Sequence, residues 1–527
     1  MGVRQDNSTG YVHNDEPNLL NIHKALGYNG QGQPVLRTVA STGDGGSPSG
    51  TSAFGENLTV PLTPVIQLDS LYGFDPREFQ QFSQFGGASE STGTLFKVHT
   101  GTDPYGYGVL RSNRILRYRP GQGAMARFTA AFDNPQLGVT LRAGLFAQEQ
   151  ALNIGYDEAT NQFGILRQNG GKAHIATLTV TAQTGAGTAT ITLNDTAYPV
   201  SLTADDAIGT AAQIASNAFA GWTVEQCDDT VRFLSTSVGE KAGAFTYSAT
   251  GGSTGTIAET QAGADHTLNW TYQTDWNIDS MDGNGPSGIN MDWSKLNIFQ
   301  VNFRWLGAGE IRWAVENPDT GDMMFIHHEH YSNRNTDVHS DNPSFKIGYI
   351  AANLSANTIT DAHVFGASMM AAIEGQIVDN SYTTSATSGT KTSLNQNNLH
   401  NLISIKNSLI YQSKINLREL KLKTLSVSSQ NNDPIEIYLI LNGTLNAANE
   451  WTKIGDFSSI IKATTTGTYV STDEQPLVIL INGINGTSTF DLSQYNVTLP
   501  PNNVVSVAVQ SSQTIQSINA SLTWSET

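Results

Sequence analysis

The stretch from Arg114 to Phe132 constrains the fold most. It reads Arg-Ile-Leu-Arg-Tyr-Arg-Pro-Gly-Gln-Gly-Ala-Met-Ala-Arg-Phe-Thr-Ala-Ala-Phe, and bulky apolar residues alternate with Arg, Thr or Ala on each side of the turn at Pro120-Gly121-Gln122-Gly123. A period of two is typical of strands that bury one face. The stretch therefore predicts a hairpin of two strands that begins a sheet.

The composition extends this prediction to the whole chain. A length of 527 residues exceeds what one hydrophobic core normally organises, so several domains are expected. Only 14% of the residues are charged and 50 are glycine, which favours many short strands joined by polar turns. We predict a mainly β protein: an N-terminal jelly-roll or lectin-like β-sandwich with an inserted small α+β module, followed by a C-terminal β-sandwich.

Changes in composition predict the domain boundaries. The first residues are too rich in Gly and Ser to bury a core, and later stretches alternate short apolar runs with Gly-containing turns. The predicted order is an extended N-terminal arm or anchor at 1–56, a jelly-roll-like sandwich at 57–172 with 267–364, the inserted module at 173–266, a linker at 365–400 and the C-terminal sandwich at 401–527.

The inserted module contains the helix that the sequence predicts most clearly. Apolar residues recur with a helical period from Ile208 to Phe219. Thr203 is the predicted N-cap, and Asp205 and Asp206 would lie in the first turn, where the helix dipole favours anions. Gly221 is expected to end the helix.

Charge and cysteine content exclude several classes of protein. A formal net charge of −18 and a pI near 4.9 argue against a partner made of nucleic acid, because phosphate binding requires a basic surface. Cys227 is the one cysteine, so no disulfide can form within the chain, and a buried thiol is favoured there. No apolar run approaches the roughly 18 residues that span a bilayer, so no membrane insertion is expected.

Two stretches contain residue types that bind metals. His327-His328-Glu329-His330 is the densest such cluster, and His328 and His330 would share one face of a strand. The spacing of zinc proteases is absent, and the apolar residues before the cluster favour a strand edge with exposed imidazoles. The loop at 275–284 is favoured as a turn rather than a calcium site, although its oxygens come from Asp275, Asp279, Asp282 and Asn284. We predict no metal ligand, no cofactor and no catalytic residue.

Tryptophans and arginines suggest other binding surfaces. Trp276 and Trp293 suit either the core or a platform for sugar stacking, whereas Trp305 and Trp313 lie in apolar strands and suit the core. Two basic patches suggest solvated faces, contacts across a subunit boundary or an anionic glycan: Arg111, Arg114, Arg117, Arg119, Arg127 and Arg142, and then Lys414, Arg418, Lys421 and Lys423. No nucleophile elbow or phosphate-binding loop is present.

Several motifs resemble a family of virion structural proteins encoded by marine phages and large DNA viruses. The resemblance covers roughly 55–170 and 267–525, and 173–265 more weakly resemble a small module of phage tail and adhesin-like proteins. The motifs are Tyr118-Arg-Pro-Gly-Gln-Gly, Arg127-Phe-Thr-Ala-Ala-Phe, Asn153-Ile-Gly-Tyr-Asp, Phe163-Gly-Ile-Leu-Arg, Asp282-Gly-Asn-Gly-Pro-Ser-Gly and Leu402-Ile-Ser-Ile-Lys-Asn.

The resemblance implies a non-enzymatic virion protein on the particle surface: a head or tail fibre, a vertex spike or a capsid-associated subunit. Its expected partners are other capsid or tail proteins, further copies of itself with a trimer favoured, and a host cell-surface glycan. The alternative is a polysaccharide-binding or polysaccharide-degrading β-sandwich protein, in which the region from Trp276 to Trp293 lines a groove.

Overall fold

The structure is a computed structural model that describes residues 61–133, 136–204, 206–377, 382–469 and 477–526. Among the first sixty residues it gives only the backbone of two short hairpins, β1 (Arg4–Asp6) with β2 (Gly10–Val12) and β3 (Leu26–Tyr28) with β4 (Pro34–Leu36). The chain divides into two compact units, Met1–Pro61 and Leu62–Thr527. The arm predicted for 1–56 lies almost wholly outside the described residues, whereas the second unit contains the sandwiches and the module.

Two antiparallel sheets form the N-terminal sandwich. One has nine strands: β5 (Leu62–Asp69), β7 (Ala88–Ser91), β8 (Phe96–His99), β10 (Ala124–Phe132), β22 (Asn297–Phe303), β23 (Ile311–Glu316), β24 (Met323–Glu329), β26 (His363–Gly366) and β27 (Ser368–Glu374). The other has seven: β6 (Phe79–Gln84), β9 (Tyr107–Ser112), β11 (Val139–Phe146), β12 (Ala151–Tyr156), β13 (Phe163–Asn169), β21 (Thr267–Tyr272) and β25 (Lys346–Asn353).

Strand β10 is the centre of the nine-stranded sheet. It pairs with β22 on one side and with β26 and β27 on the other, so both of its edges are occupied. The hairpin predicted around Pro120 was therefore wrong in its first half. Residues 114–119 form one isolated bridge, Leu116 to Phe345, instead of a strand along β10. Ile115 and Leu116 are nevertheless buried, which explains their apolar pattern.

The core between these two sheets is aromatic. Phe163 stacks on Trp293 with ring centroids 4.4 Å apart, and Phe132 and Phe299 pack around this pair. Offset and edge-to-face contacts of this kind add about 0.5–1.5 kcal/mol per pair beyond the area they bury. The aromatic packing fixes the spacing of the two sheets, and with it the positions of the residues at the sheet ends.

The inserted module consists of a four-stranded sheet, a three-stranded sheet and a helix around a separate core. Its strands are β14 (Ala173–Ala182), β15 (Gly187–Leu193), β16 (Thr196–Leu202), β17 (Trp222–Cys227), β18 (Thr230–Val238), β19 (Thr246–Ala249) and β20 (Thr254–Gln261). Of the helices in the described part of the chain, none is long and apolar enough to cross a membrane.

The module helix, α1 (Ala207–Ala215), is shorter than predicted. Its N-cap is Asp206 rather than Thr203, because the Asp206 side chain accepts a hydrogen bond of 2.6 Å from the Gly209 N–H. Thr203 is instead held by Gln213, whose side chain bonds both its N–H and its hydroxyl. The helix ends at Ser216, so Phe219 packs into the core from the following turn.

The C-terminal sandwich has two six-stranded sheets around an aliphatic core that includes Trp524. Its strands are β28 (Thr383–Thr387), β29 (Lys391–Leu394), β30 (His400–Asn407), β33 (Leu420–Gln430), β34 (Ile435–Leu441), β35 (Thr452–Lys453), β36 (Ile460–Ala463), β37 (Val478–Asn482), β38 (Thr487–Asp491), β39 (Thr498–Leu499), β40 (Val504–Gln510) and β41 (Ile515–Glu526). A small hairpin joins β31 (Ile410–Tyr411) to β32 (Lys414–Ile415).

The linker predicted for 365–400 was wrong for most of its length. Strand β27 lies within this range and buries Met369, Ala371 and Ile373 in the aromatic core, while β28 and β29 pair with β41 of the C-terminal sandwich. The stretch looked like a linker because β28 and β29 are rich in Thr and Ser and are largely exposed. The other domain boundaries stay predictions.

Buried polar contacts join the inserted module to the C-terminal sandwich. The Glu225 carboxylate of β17 is fully buried and lies 3.2 Å from the Lys406 Nζ. It also accepts hydrogen bonds from the Ser408 hydroxyl at 2.5 Å and the Leu409 N–H at 2.9 Å. A buried charge that is paired in this way couples the inserted module to the C-terminal sandwich, because removing either partner leaves the other charge uncompensated.

Candidate functional site

The histidines at 327–330 lie at the end of β24, the edge strand of the nine-stranded sheet, as predicted. The register shifts between Trp313 and Ala314 of β23 because β24 has one extra residue there, Ile326, so the adjacent residues Ile326 and His327 are both buried. The expectation of exposed imidazoles is therefore wrong for His327. Its Nδ1 accepts a hydrogen bond of 3.2 Å from the Asn277 N–H, and burial lowers the pKa of its imidazole to about 4.

His328 and His330 share a face, as predicted, and both contact Glu310. Their Nδ1 atoms lie 3.3 and 3.5 Å from Glu310 Oε1. The other oxygen, Oε2, is 2.7 Å from Arg312 and 3.3 Å from Arg304. We call these five residues the Glu310 cluster.

Arginine dominates the electrostatics of the Glu310 cluster. Burial opposes ionisation of Glu310, but the hydrogen bond and charge of Arg312, with smaller contributions from His328 and Arg304, outweigh it and hold the pKa of the carboxyl below its ordinary value. Burial also lowers the pKa of His328, against the attraction of Glu310. The carboxylate is thus ionised and already paired with cations.

A second group of metal-capable side chains was missed by the sequence reasoning. His99 ends β8, His363 begins β26 directly opposite it in the antiparallel register, and Asp361 precedes β26. One ligand atom from each of the three lies within 4.8 Å of one from each of the others. We call these three residues, with Asp133 and Glu90 behind them, the His99 cluster.

Further hydrogen bonds orient His363 and Asp361 of the His99 cluster. Asp133 follows β10, and its Oδ2 is 2.5 Å from His363 Nδ1 and accepts the His363 N–H at 2.9 Å. Asp361 Oδ1 accepts the Gly101 N–H at 2.8 Å. Gly101 has φ +66°, and a Cβ there would lie 2.4 Å from the carbonyl oxygen of Gly86, so this turn requires glycine.

The loop at 275–284 uses its carboxylates within its own turns. Asp279 accepts the N–H groups of Met281 at 2.9 Å and Ser287 at 2.8 Å, and Asp282 accepts the Asn284 N–H at 2.9 Å. Asp279 is buried, and hydrogen bonds from Ser280 and Asn284 lower the pKa of Asp282. This arrangement is the turn rich in Asx residues that the sequence favoured.

Trp276 and Trp293 lie in the aromatic core rather than on a sugar-binding surface. Each is only 6% exposed, and their Nε1–H groups donate to the Thr271 carbonyl oxygen at 3.1 Å and to Gln273 Oε1 at 2.9 Å. Trp313 is buried, as expected, and Trp305 is partly buried against Tyr118. With so little exposed surface, neither Trp276 nor Trp293 offers an open face for sugar stacking.

Arg114 and Arg117 of the first predicted basic patch lie near Arg418 and Lys421 of the second, at the junction of the N-terminal and C-terminal sandwiches, whereas Arg127 and Arg142 donate to Gln300 and Gln168 within the N-terminal sandwich. Glu419 lies at the same junction, and its carboxylate accepts the Ile115 N–H at 2.8 Å. Burial raises the pKa of Glu419, and burial reinforced by Arg111 lowers the pKa of Lys346 to about 7. Burial lowers the pKa of Arg117, and the nearby charge of Arg418 lowers it further. These cations thus serve contacts within the chain.

Two of the cavities in the described part of the chain are of moderate size. One, of about 340 Å³, lies between the module and the C-terminal sandwich, and the other, of about 360 Å³, opens beside Trp293. Each is lined by one carboxylate, Asp456 and Asp292 respectively, so neither holds the carboxylate pair that most glycosidases use. Cys227 borders the first cavity, is buried, and has its pKa raised by burial to about 11.

The sequence matches no protein-family model and no curated protein. Among solved structures, the Emp46p carbohydrate recognition domain in its metal-free form is 9% identical, with a TM-score of 0.23, over 59% of this chain and 96% of that chain. Infectious bursal disease virus Gx strain is 10% identical, with a TM-score of 0.17, over 77% and 72%. PNGF-II is 11% identical, with a TM-score of 0.13, over 88% and 65%. Scores this low carry no argument about function.

Proposed function

We propose that this chain is a non-enzymatic structural protein of a virus particle, placed on the particle surface as a head or tail fibre, a vertex spike or a capsid-associated subunit. The observation that supports this proposal best is the mode of stabilisation. Three β units have separate cores, and the buried Glu225 contacts join two of them. Packing of this kind suits a building block that has no internal disulfide and lasts outside cells.

The proposed partners are other capsid or tail proteins and further copies of this chain, with a trimer favoured. Strand β37 supports a contact between copies, because it is an edge strand of the C-terminal sandwich. Ile479 and Ile481 on its outer face are 55% and 65% exposed. An exposed apolar edge strand is a ready site for association. The domains that face away from the particle would also contact a host cell-surface glycan.

The test of the proposal is to locate the chain in particles of the virus that encodes it. Mass spectrometry of purified particles should detect it in stoichiometric amounts, and labelled antibody imaged by electron microscopy should mark the particle surface. Absence from washed particles would overturn the virion assignment. Release of sugars from a panel of polysaccharides by the purified protein would instead support the polysaccharide-degrading alternative.

The oligomer has a separate test. Size-exclusion chromatography with light scattering should give three times the chain mass of 56.6 kDa. Replacing both Ile479 and Ile481 with Lys should release monomers, whereas Leu137→Lys, at an exposed position in the N-terminal sandwich, should leave the assembly intact. A wild-type protein that remains a monomer at high concentration contradicts the oligomer without touching the virion assignment.

A further inference from the structure

Two of the three distances between ligand atoms in the His99 cluster match those of a tetrahedral metal site, and the third is within 4.8 Å. His99 Nδ1 and His363 Nε2 each lie 3.2 Å from the same oxygen, Asp361 Oδ2. Zinc bonds to nitrogen and oxygen are about 2.0–2.1 Å long, so neighbouring ligands of a tetrahedral zinc ion are about 3.4 Å apart. All three side chains are partly exposed, so an ion has access from solvent.

The hydrogen bond from His363 Nδ1 to Asp133 leaves Nε2 without a proton and close to a second acceptor. Because Asp133 accepts the ring proton at Nδ1, the neutral imidazole has its lone pair at Nε2. Nε2 lies 3.2 Å from Asp361 Oδ2, which is also an acceptor. Two acceptors 3.2 Å apart repel each other unless a metal ion or a second ring proton lies between them.

The carboxylates around the His99 cluster are also those that metal-binding histidines use. A histidine ligand usually donates its second ring N–H to a carboxylate, which fixes the tautomer and the ring orientation. Asp133 holds this position for His363, and Glu90 lies 3.7 Å from the buried Nε2 of His99. Both imidazoles have their remaining nitrogen 3.2 Å from Asp361.

The net charge of the His99 cluster favours a divalent cation. With neutral imidazoles, Asp133, Asp361 and Glu90 contribute three negative charges. Lys97, 3.4 Å from Glu90, contributes one positive charge, which leaves a net charge of −2. A divalent ion would neutralise this charge within a partly buried site, where Coulomb attraction is stronger than in bulk water.

We propose that His99, Asp361 and His363 bind one zinc ion, with Asp133 as a positioning residue, Glu90 as a nearby negative charge and a water molecule as the fourth ligand. Imidazole nitrogen with a single carboxylate suits zinc and its first-row neighbours, whereas calcium and magnesium prefer oxygen ligands. The ion joins β8 to β26 and to the turn before β26. It stabilises the N-terminal sandwich, wherever the protein acts.

Zinc binding can be measured on the full-length protein after treatment with chelator and dialysis. Titration calorimetry with ZnCl₂ should show one tight equivalent, and saturating zinc should raise the melting temperature by about 5 °C. Cobalt should give the visible absorption bands of a tetrahedral site. His363→Ala and Asp361→Asn should abolish the tight equivalent, and Asp133→Asn should weaken it about 10- to 100-fold.

A matched control comes from the Glu310 cluster, which also contains two histidines and one carboxylate that could bind a metal. The double variant His328→Ala with His330→Ala should retain the tight equivalent with unchanged affinity. Near-ultraviolet circular dichroism of the metal-free variants checks that each is folded, and Asp361→Asn keeps the side-chain shape if His363→Ala is unstable. Zinc binding lost in the control but retained in Asp361→Asn would overturn the proposal. So would a wild-type protein that binds neither zinc nor cobalt, because a second proton on His363 then bridges the two acceptors.

Discussion

The His99 cluster and the Glu310 cluster contain the same three ligand types, yet their electrostatics are opposite. In the Glu310 cluster two arginines contact the carboxylate, so one negative charge meets two positive charges and the net charge is +1. In the His99 cluster the groups behind the imidazoles are the carboxylates Asp133 and Glu90. The residues behind the ligands, rather than the ligands themselves, distinguish a site that attracts a cation from one that repels it.

The comparison also separates two ways of stabilising a sheet edge. Around Glu310 the protein supplies its own cations from β23 and the turn before it, and the ion pairs are complete without any ligand. Around His99 the proposed cation comes from solution. Stability near β24 should therefore depend on pH, and stability near β26 should depend on metal.

In the metal-free protein, the largest expected effect is the acid sensitivity caused by His327, which is buried beside the Glu310 cluster. Its pKa in the folded protein is about 4, against an ordinary value of 6.5. The unfolded chain therefore binds the proton more readily, and the stabilisation is complete above pH 6.5 and is lost as the pH falls toward 4. The loss amounts to about 3 kcal/mol.

Urea unfolding at a series of pH values measures this effect. His327→Gln should lose that part of the pH dependence, so its curve converges with the wild-type curve in acid. Ile326→Val, at the buried neighbour, should lower stability by about 1 kcal/mol at every pH and leave the slope unchanged. A Gln variant with the wild-type slope would show that His327 is not the titrating group.

The second effect is the loss of the Glu310 charge. Glu310→Gln should destabilise the metal-free protein by about 2 kcal/mol at pH 7, because Arg312 loses a charge-assisted hydrogen bond and Arg304 its counter-ion. The pKa of Glu310 is lowered in the folded state, so this stabilisation is present above pH 4.5 and disappears as the pH falls through the lower folded value.

Glu240→Gln is a suitable control for this measurement, since Glu240 is exposed on the inserted module. It should change the free energy of unfolding by less than about 0.5 kcal/mol. Equal losses for the two variants would mean that the ion pairs around Glu310 contribute nothing beyond a surface charge.

The third effect is the loss of the Asp361 charge, which should change stability little in metal-free protein and more in the presence of zinc. Asp361→Asn should change the stability of the metal-free protein by less than about 1 kcal/mol, because the amide oxygen still accepts the Gly101 N–H and the loss of the charge relieves the repulsion of His363 Nε2. In saturating zinc the gap between wild type and variant should widen to about 3 to 4 kcal/mol, if zinc is supplied at about 100 times its dissociation constant. A gap that is the same with and without zinc would make Asp361 a purely structural residue.

The fold class could be predicted from the sequence because alternation and turn residues act locally. Strands such as β12 (Ala151–Tyr156) and β34 (Ile435–Leu441) were visible as apolar runs. The failed hairpin around Pro120 shows the limit. Residues 114–119 carry a strand pattern, but β22, β26 and β27 occupy the edges of β10, and that competition is decided by tertiary pairing alone.

The two clusters differed in how far they could be predicted. His328 is on β24 and His330 directly follows the strand, two residues further on, so their shared face was predictable from the period of two. Their partner Glu310 lies directly before the neighbouring strand β23, and its contact with the two histidines was not predictable. His99 and His363 are far apart in the sequence, and only the β8–β26 register brings them opposite each other. Gly101 gave no separate signal in a chain with 50 glycines.

The smallest expected effect, and the finest test of the comparison, is His330→Ala. The His330 side chain is half exposed and lies 3.5 Å from Glu310, which Arg312 already pairs at 2.7 Å. An exposed partner of a satisfied carboxylate contributes little, so unfolding in urea should change by less than about 0.5 kcal/mol with or without zinc. The loss of stability caused by His363→Ala should depend on zinc instead. In the described part of the chain Asp361 and Asp133 pair with histidines, and no arginine pairs with them in place of the ion. If His330→Ala lost several degrees of melting temperature only in zinc, the metal would belong to the Glu310 cluster, and the charge behind the ligands would not decide where it binds.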